Sequence, residues 1–274
     1  MMNWVTRLGG SGLLALMLAA SAVAAPTVNL GVIPNMETLE LVRQYQPLAS
    51  FLQEQLQVSV LVRTRATHDR FTRAVAAGEF DLVITAPHLA RLAEQRGDML
   101  PLASFAGELR LSAILPEGVD LRALRAKPVV TAAVPDALSW VAVAGEEWLA
   151  QELPDSEIQL RSFRSHRNTI RALHQQEGDI TFIGSMALAR FEEEQLQGLT
   201  LVDTEVVAPH LVLLCRAAQT DLCEAAVTIL ERFPESPYGR LFFEGSQLQG
   251  WVPAPMLSQF DPLLQRVQTR LPGQ

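Results

Sequence analysis

The sequence predicts an α/β protein of two similar lobes, each a mixed and mostly parallel sheet flanked by helices, joined by a two-strand hinge. The first observation is a unit of strand and helix patterns that occurs twice, at 68–92 and 166–190. The second is the alternation of strand and helix patterns along almost the whole chain, which is typical of parallel-dominated sheets. The third is a pair of stretches, near 104–110 and 204–209, that would carry the chain out of one lobe and back.

The repeated unit is the strongest signal for two lobes. Each copy reads as a short amphipathic helix, a turn with Gly and an acid, a buried strand, a loop of small residues and a second helix. A shift of 98 residues aligns His68 with His166, Arg73 with Arg171, Ala74 with Ala172 and Asp81 with Asp179. One unit cannot bury its own apolar face, so each copy is expected to lie in a separate sheet. The loops at matching strand ends would then face a cleft, where ligands usually bind.

The elements of the first half follow from apolar runs and turn residues. Pro34-Asn35 closes the first strand, and Pro47 is expected to break or kink the first helix. The predicted strands span 28–33, 58–63, 81–85, 100–105 and 109–115. The predicted helices span 38–57, the start of the first repeat unit, and a segment from about residue 88.

The second half repeats this alternation. Pro135-Asp136 is expected to open its first helix. The predicted strands span 129–134, 158–163, the strand of the second repeat unit, 199–203 and 206–215. The predicted helices span 137–151, the helices of the second unit, 222–233 and 259–271, with a loop-rich stretch at 234–255. The expected domains are lobe I at 25–105 and 207–274 and lobe II at 106–206.

The N-terminus predicts export. Arg7 is the only charge before Glu37, and the apolar core at 13–20 is too short to span a bilayer. Ala22-Val23-Ala24 is a small-x-small cleavage site, so residues 1–24 read as a signal peptide and the mature chain starts at Ala25. No Cys lies near that site, so a lipoprotein is not expected. The predicted location is the periplasm.

Charge and cysteine content limit the classes of partner. The formal net charge is -8, which becomes -9 when Arg7 is removed with the signal peptide. Such acidity argues against nucleic acid as a partner. The two cysteines, Cys215 and Cys223, are close enough in sequence to form a disulfide in an oxidising compartment. The alternative is a pair of reduced, buried thiols.

Several stretches, in order and at similar spacing, resemble the phosphonate/phosphite-type periplasmic solute-binding proteins of ABC transporters. They are Tyr45-Gln46-Pro47-Leu48-Ala49-Ser50-Phe51-Leu52, Gly78-Glu79-Phe80-Asp81-Leu82 with Thr85-Ala86-Pro87, Ser165-His166-Arg167-Asn168 with Gly178-Asp179, and Gly250-Trp251-Val252-Pro253-Ala254. The resemblance implies the type II periplasmic-binding-protein fold, and a phosphate- or phosphonate-like oxyanion bound between the lobes. It also implies a monomer that needs no cofactor and docks on an inner-membrane ABC permease.

Two other functions stay open at this point. A periplasmic sensory subunit with the same fold would act on a membrane kinase or cyclase without transport. A secreted enzyme is disfavoured because the sequence lacks a nucleophile elbow, a Gly-rich phosphate loop and a His-Glu-x-x-His motif. No close His, Asp and Glu spacing demands a metal.

The departures from the family pattern concern the ligand. The second lobe's first helix has Asp136-Ala137-Leu138-Ser139 where the family places Ser-Thr-Ser. Asp136 is expected to cap that helix and to repel a phosphonate. Met186 and Leu211 fall where some members have carboxylates for an ammonium group, so an aminoalkylphosphonate is not expected. His68 takes the place of an aromatic, and Ala90 that of a tyrosine.

The predicted ligand contacts are polar or aromatic residues at strand ends and helix starts. They are Asn35, Glu37, His68, Thr85, Pro87, His88, Ser139, Trp140, His166, Arg167 and Ser185. Each has a structural alternative: the two repeat histidines could cap helices, Trp140 could pack under its helix, and Arg167 could be solvated. His210 also lies near a crossing, whereas His174 reads as a surface or packing residue.

Overall fold

The computed structural model describes residues 27–246 and 248–271, so the predicted signal peptide at 1–24 lies outside the described residues. Two sheets form the frame, and their strands are numbered along the chain. The first sheet contains β1 (Thr27–Val32), β2 (Ser59–Arg63), β3 (Leu82–Thr85), β4 (Met99–Ala106), β10 (Val212–Arg216) and β11 (Gln249–Pro253). The second contains β5 (Glu108–Pro116), β6 (Val129–Val134), β7 (Glu157–Ser162), β8 (Ile180–Gly184) and β9 (Leu199–Pro209).

Helices flank both sheets. They are α1 (Thr38–Leu56), α2 (His68–Ala76), α3 (Pro87–Gln95), α4 (Leu121–Arg125), α5 (Trp140–Glu152), α6 (His166–His174), α7 (Ser185–Leu188), α8 (Thr220–Arg232), α9 (Pro237–Glu244) and α10 (Asp261–Thr269). Two short 3-10 helices span Glu193–Leu196 and Leu257–Phe260. We call the first sheet with its helices lobe I and the second sheet with its helices lobe II.

The strand order confirms the predicted fold class. Lobe I has the order β11-β4-β10-β3-β1-β2, with β1 parallel to β2 and β3 and with β10 antiparallel to β3 and β4. Lobe II has the order β7-β6-β8-β5-β9, with β6 parallel to β7 and β8 and with β5 antiparallel to β8 and β9. The parallel triplet is therefore built the same way twice.

The repeated aspartates have a structural role in both lobes. Asp81 accepts the backbone N–H of Asn29 in β1 at 2.7 Å, and Asp179 accepts that of Thr131 in β6 at 2.8 Å. Each carboxylate thus fixes the turn before a central strand to the neighbouring parallel strand. This shared fastening accounts for the acid in both copies of the repeat.

The chain passes between the sheets at two places. Gly107, with φ of +95°, separates β4 from β5, and His210-Leu211 separates β9 from β10. The predicted single strand at 206–215 is therefore divided between the two sheets. The two crossings contact each other, since the backbone N–H of Phe105 donates to the Leu211 carbonyl at 3.1 Å. Ser104 Oγ also donates to the His210 carbonyl at 3.2 Å.

Three predicted boundaries differ from the structure. The helix predicted at 137–151 begins at Trp140, because the Ser139 hydroxyl, not Asp136, caps it by accepting the Ala142 N–H at 3.3 Å. The stretch predicted as loop at 234–255 contains α9 and β11. Ser236 caps α9 ahead of Pro237, and β11 pairs with the edge strand β4. Pro47 lies inside α1 without ending it.

The last helix bridges the lobes. On one side, α10 packs against α3, where Arg91 donates to Asp261 at 2.6 Å. On the other side it packs against α5, where Arg266 donates to Glu147 at 2.8 Å and Arg270 pairs with Glu146. The helix α10 is therefore a third attachment between the lobes.

A disulfide joins Cys215 of β10 to Cys223 of α8. The two residues are buried and their Cα atoms lie 5.6 Å apart. The bond fastens the first turn of α8 to the sheet of lobe I.

We expect the double substitution Cys215→Ala, Cys223→Ala to lower the free energy of unfolding by about 2–3 kcal/mol, because the loop that the bond closes is short. Urea denaturation with and without reductant measures this. Reductant should affect the wild type alone, and mass spectrometry of exported protein should find no free thiol. Two free thiols in that material would contradict the prediction.

Candidate functional site

A solvent-open cleft of about 1120 Å³ lies between the lobes. Four helices begin at its wall, α1 and α2 from lobe I and α5 and α6 from lobe II. They begin there because each follows a strand of a parallel triplet, and the carboxyl ends of these strands face the other lobe. Helix N-termini carry unpaired N–H groups and a partial positive charge, so the cleft favours an anion.

The charged side chains of the cleft add to this field. Its arginines are Arg65, Arg70, Arg164, Arg167 and Arg190. Its acids are Glu37, Glu40 and Asp136. A cleft of a protein with net charge -8 thus contains more cationic than anionic side chains.

Most of the acids in the cleft are already paired. Glu40 accepts from Arg190 at 3.2 Å, and the Asp136 carboxylate lies 3.3 Å from Nδ1 of His68. Within the described residues, Arg70, Arg164 and Arg167 form no ion pair, and Glu37 is the one cleft acid without one. Three cations thus remain for a ligand, against one exposed acid.

Asp136 and His68 join the two lobes across the cleft. Asp136 Oδ2 also lies 3.4 Å from the backbone N of His68, while Oδ1 accepts the Leu138 N–H at 2.8 Å. Burial alone would raise the pKa of Asp136, but the hydrogen bond and charge of His68 outweigh it and lower that pKa. The side chain predicted to cap a helix instead forms an interlobe contact.

His166 occupies the corresponding position in lobe II, as the first residue of α6. Its Nδ1 is buried without a hydrogen-bond partner among the described residues, although the residue lines the cleft. Burial, and then the proximity of His68, lower the pKa of His166 to about 4. The imidazole is therefore neutral at neutral pH, and its Nδ1 has no hydrogen-bond partner among the described residues.

An apolar wall completes the cleft. Leu109, Trp140, Val141, Met186 and Leu211 all line it. Met186 and Leu211 thus lie in the cleft and leave this wall without a carboxylate. The wall fits an uncharged part of a solute and offers nothing to an ammonium group.

Of the predicted ligand contacts, Asn35, Glu37, His68, Ser139, Trp140, His166 and Arg167 line the cleft. Whether they touch a ligand remains a prediction. The structure places the other four elsewhere: Thr85, Pro87, His88 and Ser185 are not among the lining residues.

Local geometry explains why these four side chains do not line the cleft. Thr85 is buried in the central strand β3, and Pro87 is buried at the start of α3. His88 is fully buried, and its Nε2–H donates to the Leu138 carbonyl at 2.9 Å. The Ser185 hydroxyl accepts the backbone N–H of Arg110 at 3.3 Å. Each side chain is directed to its own lobe or to the lobe interface.

Four of the five cleft arginines are not among the ligand contacts predicted from the sequence. Arg164 lies in the loop between β7 and the second repeat, and its backbone has φ of +68°. Its position in a loop after a strand was the one feature of the sequence that could have indicated a cleft residue. Arg65 and Arg70 flank the start of α2, next to His68. For Arg190, beyond α7, no periodic pattern marked a cleft position.

Two kinds of feature are absent from the described residues. No helix there has the length and apolar character needed to cross a bilayer. No cluster of three or more His, Cys, Asp or Glu side chains there is arranged to hold a metal ion.

His88 makes stability dependent on pH. Its Nε2–H donates to the Leu138 carbonyl, and its Nδ1 is buried without a partner in the described residues. Burial lowers the pKa of His88 to about 4, below the ordinary value of 6.5. A depressed folded-state pKa gives stability that is present above about pH 6.5 and lost as pH falls towards 4.

We expect His88→Gln, whose side-chain N–H can still donate to Leu138, to lose less stability than the wild type between about pH 7 and about pH 4. The difference should be on the order of 3 kcal/mol, set by the shift in the His88 pKa. Urea denaturation at both pH values measures it. His174→Gln is the matched control, because His174 is exposed and its replacement should leave the wild-type pH dependence. Equal pH dependence in wild type and His88→Gln would contradict this role.

Comparison with known proteins was made by sequence and by fold. No curated protein sequence matches the chain. XAC2383 from Xanthomonas citri, solved bound to chloride, has a TM-score of 0.76 at 14% identity, over 89% of this chain and 99% of that one. The same protein bound to ATP has a TM-score of 0.73 at 16% identity, with 89% and 98% covered. These similarities show a shared fold.

Two further similar structures are of proteins that are associated with phosphonates. PhnD1 from Prochlorococcus marinus, in complex with methylphosphonate, has a TM-score of 0.71 at 11% identity over 89% of this chain and 98% of that one. A binding protein component of an ABC phosphonate transporter from Pseudomonas aeruginosa has a TM-score of 0.65 at 13% identity, with 90% and 87% covered. A family profile matches residues 30–257, most of the chain. The chain therefore belongs to the family of periplasmic phosphonate substrate-binding proteins of ABC transporters.

Proposed function

We propose that this protein captures a small oxyanion with an uncharged organic or hydrogen substituent in the interlobe cleft and delivers it to an inner-membrane ABC permease. The observation that carries the proposal is the charge of the cleft. Four helix N-termini and three arginines without an ion pair among the described residues converge there, while two of the three acids are paired. Membership of a family of periplasmic substrate-binding proteins supports the transport role.

The ligands bound in the similar solved structures also support an anion as the solute. XAC2383 was solved with chloride and with ATP, and PhnD1 with methylphosphonate, which are all anions. Here the apolar wall around Met186 and Leu211 faces the same cleft as the cations. We therefore propose an alkylphosphonate, phosphite or related oxyanion as the solute and exclude an aminoalkylphosphonate.

The proposal includes the export and the motion of the protein. A signal peptide at 1–24 would be cleaved before Ala25 and leave a monomer without a lipid anchor. Lobe I would comprise 25–105 and 207–274, lobe II 106–206, and closure would occur about the two crossings. No observation on the described residues favours the sensory alternative.

The first test is a screen of oxyanions. Methylphosphonate, phosphite, phosphate and sulfate should be compared by thermal shift, since a ligand that binds only the folded protein raises the melting temperature. Calorimetry should show binding of the anions that raise the melting temperature. Small-angle scattering of the same samples should show a smaller radius of gyration. Failure of every anion to bind would overturn the proposed function.

The same calorimetry separates the solute classes. We expect 2-aminoethylphosphonate to bind about a thousandfold or more weakly than the best anion of the screen, because the wall around Met186 and Leu211 offers its ammonium no carboxylate. Sub-micromolar binding of this compound would contradict the assignment of the apolar wall.

We expect His166→Ala to weaken binding of the best anion by about 1–3 kcal/mol, the loss of one hydrogen bond to a charged group. The His166 side chain lines the cleft with a buried Nδ1 that lacks a described partner. His174→Ala is the matched control, since that exposed histidine ends the same helix and should not affect affinity. Equal affinity in wild type and His166→Ala would remove His166 from the binding site.

A further inference from the structure

The carboxylate of Asp136 lies in a cleft that is proposed to bind an anion. Asp136 lines the cleft, and an isolated carboxylate there would repel the proposed ligand. Asp136 is not isolated, because its carboxylate lies 3.3 Å from Nδ1 of His68 in the opposite lobe. The effect of Asp136 on an anion therefore depends on what it does to that imidazole.

The contact determines which part of His68 is available. The Nδ1 atom faces Asp136, and no other described residue forms a hydrogen bond with the ring. His68 is only 8% exposed, yet it lines the cleft. Because Nδ1 lies 3.3 Å from the carboxylate, the second ring nitrogen, Nε2, remains for a group bound in the cleft. A neutral ring would present Nε2 as an acceptor, whereas the imidazolium presents it as an N–H donor.

We propose that Asp136 is a positioning residue for anion binding: it holds the His68 imidazole across the cleft so that Nε2–H of the imidazolium donates to the bound oxyanion. This inference rests on the proposed function. It assigns to Asp136 a role opposite to repulsion, because the carboxylate compensates the imidazolium charge at the positive N-terminus of α2. It also couples binding to closure, since the carboxylate and the imidazole belong to different lobes.

The surroundings of His68 support this division of roles. The titratable or charged groups that face it are Asp136 after β6, His88 on α3 and His166 on α6, with Arg270 of α10 beside His88. Burial keeps His88 and His166 neutral at neutral pH, with their pKa values lowered to about 4. His68 is thus the one imidazole of this group with a carboxylate partner among the described residues.

The inference has a proton balance that can be measured. Where the free protein has a neutral His68, binding of an oxyanion takes one proton from solvent onto Nε2, and the affinity falls as pH rises. Calorimetry with methylphosphonate from about pH 6 to about pH 8 measures this. Repeating each titration in two buffers of different ionisation enthalpy gives the number of protons taken up. The difference between wild type and His68→Gln removes the contribution of the second ionisation of methylphosphonate itself.

The decisive variant is Asp136→Asn, which keeps an oxygen for the Leu138 N–H but removes the charge. We expect methylphosphonate affinity to fall roughly tenfold or more near pH 6 and its pH dependence to flatten. His68→Gln should show the same two changes, and the double variant should be no worse than either single one, because both residues act through one interaction. Asp120→Asn is the matched control: Asp120 also accepts a backbone N–H, at 2.8 Å, but outside the cleft, so affinity should not change.

The outcomes separate the inference from the proposed function. Tighter binding by Asp136→Asn would show that the carboxylate repels the anion, and unchanged binding would show that it is indifferent. Either result overturns the inference and leaves the anion-binding function in place. If Asp136→Asn does not fold, a wild-type pH dependence and proton uptake in His68→Gln overturn it equally. A wild type that binds none of the screened anions overturns the proposed function, and this inference with it.

Discussion

The direction of the parallel strands is the constraint on which the site depends. In each lobe the central strand lies between two parallel neighbours, β2 and β3 around β1, and β7 and β8 around β6. The helix that follows each parallel strand begins at the carboxyl end of that strand, and in both lobes these carboxyl ends face the other lobe. The cleft therefore has a positive lining before any side chain is considered. The arginines and imidazoles refine a field that the backbone already produces.

The net charge of the chain and the charge of its cleft have opposite signs. Acids outnumber Lys and Arg, 30 to 22, in the whole chain, yet the cleft has five arginines and three acids. Pairing leaves this excess in place, since three of the arginines and one of the acids form no ion pair among the described residues. A low-dielectric cleft concentrates such a local field, whereas charges on the outer surface are screened by salt. Net composition therefore argues against nucleic acid as a partner but does not indicate the sign of the charge of the solute.

The fold was predictable because its signals are local and occur twice. The repeat, with Asp81 and Asp179 at matched positions, required two similar sheets, and short apolar runs placed most strands within one or two residues. The start of α5 was not predictable in the same way. Asp136 and Ser139 are both good capping residues, and the contact of Asp136 with His68 from the other lobe leaves the cap to Ser139. Local sequence contains no trace of such a tertiary contact.

The candidate site was predictable in part for a related reason. His68 and His166, the first residues of α2 and α6, both line the cleft, whereas Pro87, the first residue of α3, is buried. The next residue along can point into the protein, as His88 does on α3. Arg65, Arg164 and Arg190 lie outside helices and strands, and Arg70 and Arg167 lie in the first turns of α2 and α6. In neither setting does the sequence pattern separate a cleft position from ordinary surface. Prediction of side-chain direction failed where it required knowledge of the packing partner.

The bridging position of α10 limits how the lobes can move. Two bodies joined at two points can swing freely about the line through those points. A third attachment removes this freedom unless it lies on the same line or its contacts slide. The crossings at Gly107 and His210-Leu211 provide two points, and the Arg266 and Arg270 pairs with Glu147 and Glu146 provide the third. Long charged side chains can exchange partners along a helix face at little cost. The C-terminal helix therefore restricts any relative motion of the lobes to one in which these ion pairs are kept or exchanged.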